Sequence, residues 1–170
     1  GKGVCGVAGG TGNGDGVRLM SIQIFEGENV CNAYQIANAI KYAADNGAVI
    51  INNSWGSEQP VYSGDNEYEY YDSLKKDALD YFKKNAKLEG TLDGGIVIFA
   101  AGNEMYIQAA YPGAYRDYIC VAAISSDYTA AYYTNCGNGV NICAPGGDPN
   151  YANWLTVLST SVENANTTGS

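Results

Sequence analysis

The sequence predicts an α/β domain, a three-layer α/β/α sandwich around a mostly parallel sheet, and three observations carry that expectation. Short runs rich in β-branched residues recur at 48–54 (AVIINNS), 95–101 (GIVIFAA) and 118–124 (YICVAAI). Continuous apolar strands of this kind are buried on both faces, as in a parallel sheet. Stretches with helical spacing of apolar residues lie between and before these runs. Finally, the chain is 46% apolar over 170 residues, enough for one packed core, so residues 1–170 read as a single domain.

Taken in order, the first feature is GGTGNGDG at 9–16, a glycine-rich stretch that precedes a strand. A dinucleotide fingerprint must follow a strand and open a helix, so this one reads as a surface loop. As a calcium-binding repeat it has one residue too many and no second copy. VRLMSIQIF, 17–25, reads as a strand with Leu19, Ser21, Gln23 and Phe25 on one face and Met20, Ile22 and Ile24 on the other. A helix is expected from Asn32 to Asp45 through Ala33, Ile36, Ala37, Ile40 and Ala44, stopped by Asn46-Gly47. Residues 56–71 read as a loop, and Asp72 to Ala86 as an amphipathic helix through Leu74, Ala78, Phe82 and Ala86. Its lysines and aspartates then fall on the solvated side. The tyrosines at 68, 70 and 71 read as cover for that helix before they read as a recognition surface.

The charge balance narrows the partners. With 18 acidic against 9 basic residues, and no basic stripe outside Lys75 to Lys87, nucleic acid and anionic membrane surfaces are not expected partners. No apolar run reaches the roughly 20 residues of a membrane span, and the opening GKGVCGVAGG lacks signal-peptide architecture. Five scattered cysteines, with no histidine beside them, do not make a zinc site and read as buried thiols, although two disulfides are the upper bound. Asn52-Asn53-Ser54 and Asn166-Thr167-Thr168 fit the glycosylation sequon, a pattern common by chance.

More informative are the polar ends of consecutive strands. In doubly wound sheets, sites form where carboxyl ends meet, and both Asn53-Ser54-Trp55-Gly56 and Ala100-Ala101-Gly102-Asn103 sit at such ends. Small residues there leave a cleft between two backbones. Asn103 has two readings: a turn former, the ordinary role of a strand-end Asn, or a fixed amide donor of the kind a developing oxyanion needs.

Five segments in succession, VRLMSIQIFEG, ADNGAVIINNSWGS, GGIVIFAAGNE, AAYPGAYRDYICVAAI and YYTNCGNGVNICAPGG, resemble those of a subtilisin-like serine protease, a subtilase, in order and spacing over nearly the whole chain. The most specific are GIVIFAAGNE and NICAPG, the latter matching a V-x-A-P-G type sequence. The resemblance implies a subtilisin-like fold and an endopeptidase that cleaves polypeptide through an acyl-enzyme. It implies that Asn103 is the oxyanion-hole asparagine. Ser54, Trp55 and Gly56 match one wall of the pocket for the residue preceding the cut bond, with Trp55 giving it apolar shape, and Ala100, Ala101 and Gly102 match the other. Residues Asn29, Val30 and Cys31 fall where substrate pairs as an extra strand. Gly113, Tyr115 and Tyr118 match a weak cation site of some relatives, and Lys2 and Val4 the tail of a calcium loop. No cofactor is expected, although calcium in the intact parent is compatible with the family, as is secretion or a cell-envelope location.

One departure stands out: the chain contains no histidine, so a Ser-His-Asp triad cannot form within it. Subtilases order the triad Asp, His, Ser, with the nucleophile in a G-T-S-M-A-x-P segment that the final Thr168-Gly169-Ser170 does not match. The expectation is therefore the middle of a catalytic domain, between the catalytic His and Ser segments. Such a piece should be inactive alone and prone to self-association through exposed apolar surface. The alternative is a non-catalytic binding or structural module with a degenerate subtilase core.

Overall fold

In chain order, the computed structural model, which describes residues 8–26, 29–57, 62–150 and 157, runs β1 (Phe25–Glu26), β2 (Asn29–Val30), α1 (Ala33–Asp45), β3 (Ile50–Asn53), α2 (Asp65–Tyr71), α3 (Ser73–Asn85), β4 (Ile96–Ala100), β5 (Ile119–Ile124) and β6 (Ile142–Pro145). Cys5, Lys2, Val4 and the second sequon lie outside the described residues. The strands β3, β4, β5 and β6 pair in that order, all parallel, and β1 and β2 form a separate antiparallel pair. This is the expected α/β architecture with a parallel sheet.

Local sequence explains the helices that face the sheet. Asn32 caps α1: its carboxamide oxygen accepts from the Gln35 backbone N–H at 2.9 Å, while Gln35 Oε1 accepts from the Asn32 N–H at 2.9 Å. This reciprocal pair satisfies two of the orphan donors of the first turn. At the other end Gly47 takes φ +89°, the left-handed conformation that ends the helix. From α1, Ile36, Ala37, Ile40, Ala43 and Ala44 are buried; from α3, Ala78, Leu79 and Phe82. These side chains share one core with Val97 and Phe99 of β4. Each fully buried Phe or Leu contributes about 1.5–3 kcal/mol. Leu74, expected in the stripe, is instead exposed, and the buried stripe of α3 runs through Ala78, Leu79 and Phe82, with Leu79 about 140° around the helix from Leu74. Gly95, entering β4, shows how closely α3 approaches: a Cβ there would lie 2.5 Å from the Phe82 ring.

Strand alternation sends the other residues to the opposite face. In register, Ile50 stands beside Ile96, Asn52 beside Ile98, Ala100 beside Val121 and Ala123 beside Ala144. Among the described residues no helix covers this face, and Ile50 and Ile142 are 54% and 56% exposed. On β5, Cys120 and Ala122 point to a smaller cluster with Ala101 and Ala109. Burial pushes the Cys120 thiol up to about 11, so it stays a neutral apolar side chain.

Two sequence readings are corrected, and one strand that was not foreseen is added. Residues 17–24 do not form a strand: only Phe25–Glu26 pairs, and only with β2, since a strand needs a neighbour and no described residue lies in the sheet beside β3 except β4. Within the expected loop 56–71, residues 65–71 form α2. Its helical character has one apolar anchor, the fully buried Tyr68, and two acidic residues in its first turn, Asp65 and Glu67, which complement the helix N-terminus. Tyr70 and Tyr71, by contrast, are exposed and pack on each other. Finally, residues 142–145 are a full sheet member, β6, although ICAP shows no strand period.

Polar clamps fasten α2 to the segment that precedes β5. The Tyr111 hydroxyl donates to Asp65 at 2.9 Å and Tyr115 to Glu69 at 2.6 Å, while Arg116 bridges both carboxylates at 2.9 Å each. The Tyr115 hydroxyl, aided by Arg116, holds the Glu69 carboxyl below the ordinary glutamate range. A carboxyl depressed by folding stabilises the fold above its unfolded value and ceases to do so as pH falls through the folded one. In urea unfolding, Glu69→Gln is therefore expected to be less stable than the unaltered chain near neutral pH, with the gap closing as pH drops below about 4. A gap that stays constant from pH 7 to pH 3 would rule out a charge-dependent clamp.

Candidate active site

The parallel register brings two strand ends together. Asn53 is the last ladder residue of β3 and stands beside Phe99, so Ser54, just past the end of β3, comes next to Ala100, the last residue of β4. Between them opens a cleft of about 440 Å³, lined by Asn52 and Ser54 on one side, by Ala100, Ala101, Gly102 and Asn103 on the other, and by Ala123, Thr134 and Gly146 farther along. Of the residues singled out from the sequence, Ser54, Ala100, Ala101, Gly102 and Asn103 meet here.

Trp55 and Gly56 are near but do not line this cleft. Alternation turns Trp55 to the helical side, where its ring meets Phe99 edge-on at 5.2 Å and its indole N–H donates to Asn53 Oδ1. Asn53 is itself buried and donates to the Ile98 carbonyl. Gly56 lies against the backbone of Tyr111: a Cβ would be 3.3 Å from its carbonyl oxygen. The Ser57 N–H donates to that same carbonyl at 3.0 Å, and the Ala110 N–H donates to the Ala101 carbonyl at 2.8 Å. Residues 110–111 thus tie the two strand-end segments together, a role that nothing in AAYPG announces. Asn29, Val30 and Cys31 lie apart from the cleft: Asn29 and Val30 are exposed in the β1–β2 pair, and the Cys31 N–H donates to the Ile24 carbonyl.

The turn that bears Asn103 is held from outside itself. Asn135, fully buried, donates from Nδ2 to the Ala101 carbonyl at 3.1 Å and to Glu104 Oε2 at 2.7 Å, and its Oδ1 accepts from the N–H groups of Glu104 and Tyr106 at 3.0 Å each. Glu104 Oε2 also accepts from the Asn103 N–H at 2.9 Å. Backbone bonds reinforce the contact: Asn135 N–H to Gly102 carbonyl, Met105 N–H to Tyr133 carbonyl and Cys136 N–H to Tyr106 carbonyl. The Asn103 carboxamide, exposed at the cleft, makes no hydrogen bond to any described residue. A turn-forming Asn spends its side chain on its own turn, and this one does not. Neither Glu104 nor Asn135 was singled out from the sequence; the polar pair Asn103-Glu104 after an apolar strand was the only signal.

Gly113, Tyr115 and Tyr118 lie together behind this wall. Gly113 fits under β4, where a Cβ would stand 2.9 Å from the Ala100 carbonyl oxygen. The Tyr115 and Tyr118 rings pack on each other at 5.0 Å, with Lys76 and Arg116 over the first and Lys83 over the second. Three cations of the chain itself therefore already stand at these rings.

The family model of the subtilases, peptidase S8, matches residues 1–169. Halolysin from Haloferax mediterranei is 32% identical over 167 residues, covering 94% of this chain and 28% of halolysin. The epidermin leader peptide processing serine protease EpiP from Staphylococcus aureus superposes with a TM-score of 0.60 at 22% identity, over 77% of this chain and 34% of EpiP, a likeness of fold alone. The nisin leader peptidase NisP from Lactococcus lactis gives a TM-score of 0.55 at 26% identity, over 78% of this chain and 42% of NisP. The chain thus spans between 28% and 42% of the length of these three proteins.

Gly102 tests how tightly the turn is built. It takes φ +108°, and a Cβ there would lie 2.2 Å from Asn135 Nδ2 and 2.6 Å from Glu104 Oε2. Gly102→Ala should destabilise the chain by more than about 1 kcal/mol, the scale for Ala at positive φ, plus the displacement of Asn135. Gly47→Ala, at φ +89° in open space, supplies the conformational part alone. Equal losses for the two variants in urea unfolding would show that the Asn135 contact contributes nothing.

Proposed function

The chain belongs to the subtilase family, and on that premise we propose that it is the oxyanion and substrate-pocket part of a serine endopeptidase that hydrolyses peptide bonds through an acyl-enzyme. The observation that carries this reading is the Asn103 carboxamide, which lines the cleft while other residues hold its turn. During acylation the serine hydroxyl adds to the scissile carbonyl, its proton passes to the histidine, and the carbonyl oxygen becomes an anion. Asn103 donates to that oxygen. Because the anion carries more charge than the ground-state carbonyl, the bond strengthens as the reaction proceeds and acts on turnover more than on binding. Ser54 on one side and Ala100 to Gly102 on the other flank the side chain that precedes the cut bond, and their small size leaves room for it.

The chain has no histidine, so no Ser-His-Asp triad forms from these 170 residues alone, and on this reading the histidine base is supplied by the complete protease. By itself the 170-residue chain is inert, and incubation with a fluorophosphonate should label no serine; stoichiometric labelling would contradict this part of the reading.

In the complete protease, Asn103→Leu keeps the volume and removes the donor. The expected loss is about 10²–10³ in kcat, a magnitude borrowed from removal of the equivalent donor in subtilisin, with KM little changed. Thermal unfolding run in parallel separates catalysis from folding. A folded variant with unchanged kcat, or a loss confined to KM, would leave Asn103 a turn residue.

A further inference from the structure

We propose that Asn135, acting together with the Glu104 carboxylate, is the positioning residue that aims Asn103 into the cleft; this rests on the reading of Asn103 as oxyanion donor. A carboxamide has two N–H donors and one oxygen with two lone pairs, and Asn135 uses all four on the stretch 101–106. Those bonds bracket Asn103. The Ala101 carbonyl lies two residues before it, the Glu104 N–H one residue after, and the Asn135 backbone N–H holds the Gly102 carbonyl between them. Neither end of the turn can rotate without breaking bonds in a site where Asn135 has no access to water.

Glu104 completes the arrangement through charge. Its Oε2 is oriented by Asn135 Nδ2 at 2.7 Å and in turn captures the Asn103 backbone N–H at 2.9 Å. That capture has a chemical consequence. The backbone N–H of Asn103 is withdrawn from the cleft, so what Asn103 offers an oxyanion is its side chain, and the backbone that the captured N–H helps to hold sets where its Cα–Cβ bond starts from. Gly102 is the residue that lets the two groups come so close, since any Cβ would intrude on both Asn135 Nδ2 and Glu104 Oε2.

The test is a mutant cycle in the complete protease. Asn135→Asp is nearly isosteric: it keeps the oxygen that accepts from the Glu104 and Tyr106 N–H groups but sets an oxygen against the Glu104 carboxylate and the Ala101 carbonyl. It should lower kcat about 10- to 100-fold, the scale of an ångström-sized misplacement, with KM changed less than about threefold. In an Asn103→Leu background the same substitution should have almost no further effect on kcat, because the group it aims is gone. Should Asn135→Asp fail to fold, as thermal unfolding will show, Glu104→Ala replaces it, since this side chain reaches the turn from a less buried position and its loss frees the Asn103 N–H. The same fall in kcat, absent in the Asn103→Leu background, is expected. If Asn103→Leu itself leaves kcat unchanged, the oxyanion reading is wrong. If Asn103→Leu lowers kcat but the second substitution is either silent alone or fully additive with it, only the positioning role is overturned.

Discussion

Parallel pairing from β3 to β6 is the constraint from which the rest follows. A parallel ladder fixes direction as well as register, so the strands all end at one edge, and whatever follows their last residues is delivered to the same place. Alternation then divides the side chains: Val97 and Phe99 go to the helices, Ile98 and Ala100 to the opposite face. The cleft lies where this division meets the strand ends. Its walls are mostly backbone and small side chains, which gives it room without a void in the core.

Two kinds of interaction secure that arrangement, and they differ in physical character. On the helical side the contacts are apolar and aromatic: Trp55 on Phe99, Phe99 on Tyr118, Tyr118 on Tyr115 and Tyr115 on Tyr68 form a continuous row of rings between 5.0 and 5.6 Å apart. Such packing is strong in sum but tolerates small shifts. At the cleft the contacts are hydrogen bonds to backbone groups, which are directional and tolerate little. Rigidity is thus concentrated where the proposed chemistry takes place, and bulk cohesion where it does not.

The sheet's central strands were legible because GIVIFAA and YICVAAI are apolar throughout, although among the described residues only alternate side chains, such as Val97, Phe99, Cys120 and Ala122, are buried. β6 left no such mark, because its face is uncovered and its residues, Ile142 to Pro145, have no period to show. α2 was missed since a helix of seven residues with one buried side chain lies below what periodicity resolves, and its remaining support, the clamp to Tyr111, Tyr115 and Arg116, comes from about 46 to 51 residues away. The same distinction applies to the site. Asn103 and its small neighbours are contiguous with a strand, so their place could be read, and the family resemblance supplied their role. Asn135 acts across 29 to 34 residues of chain, through contacts that no local pattern encodes.

One property of the Asn135 contact bears on how such a turn can vary over evolution. Of its four side-chain bonds, three end on main-chain groups, at Ala101, Glu104 and Tyr106, and only one on a side chain. Main-chain N–H groups are supplied by every amino acid except proline, and main-chain carbonyls by all twenty. Ile107, which is 86% exposed just beyond, can therefore be exchanged by mutation without touching these bonds, whereas Met105, though exposed, sits at φ +62° and donates its own N–H to the Tyr133 carbonyl, so its exchange is limited by the backbone. The side chains above this support can vary while the bonds beneath them persist, and the substitution that the support excludes on chemical grounds is proline at position 104, 105 or 106.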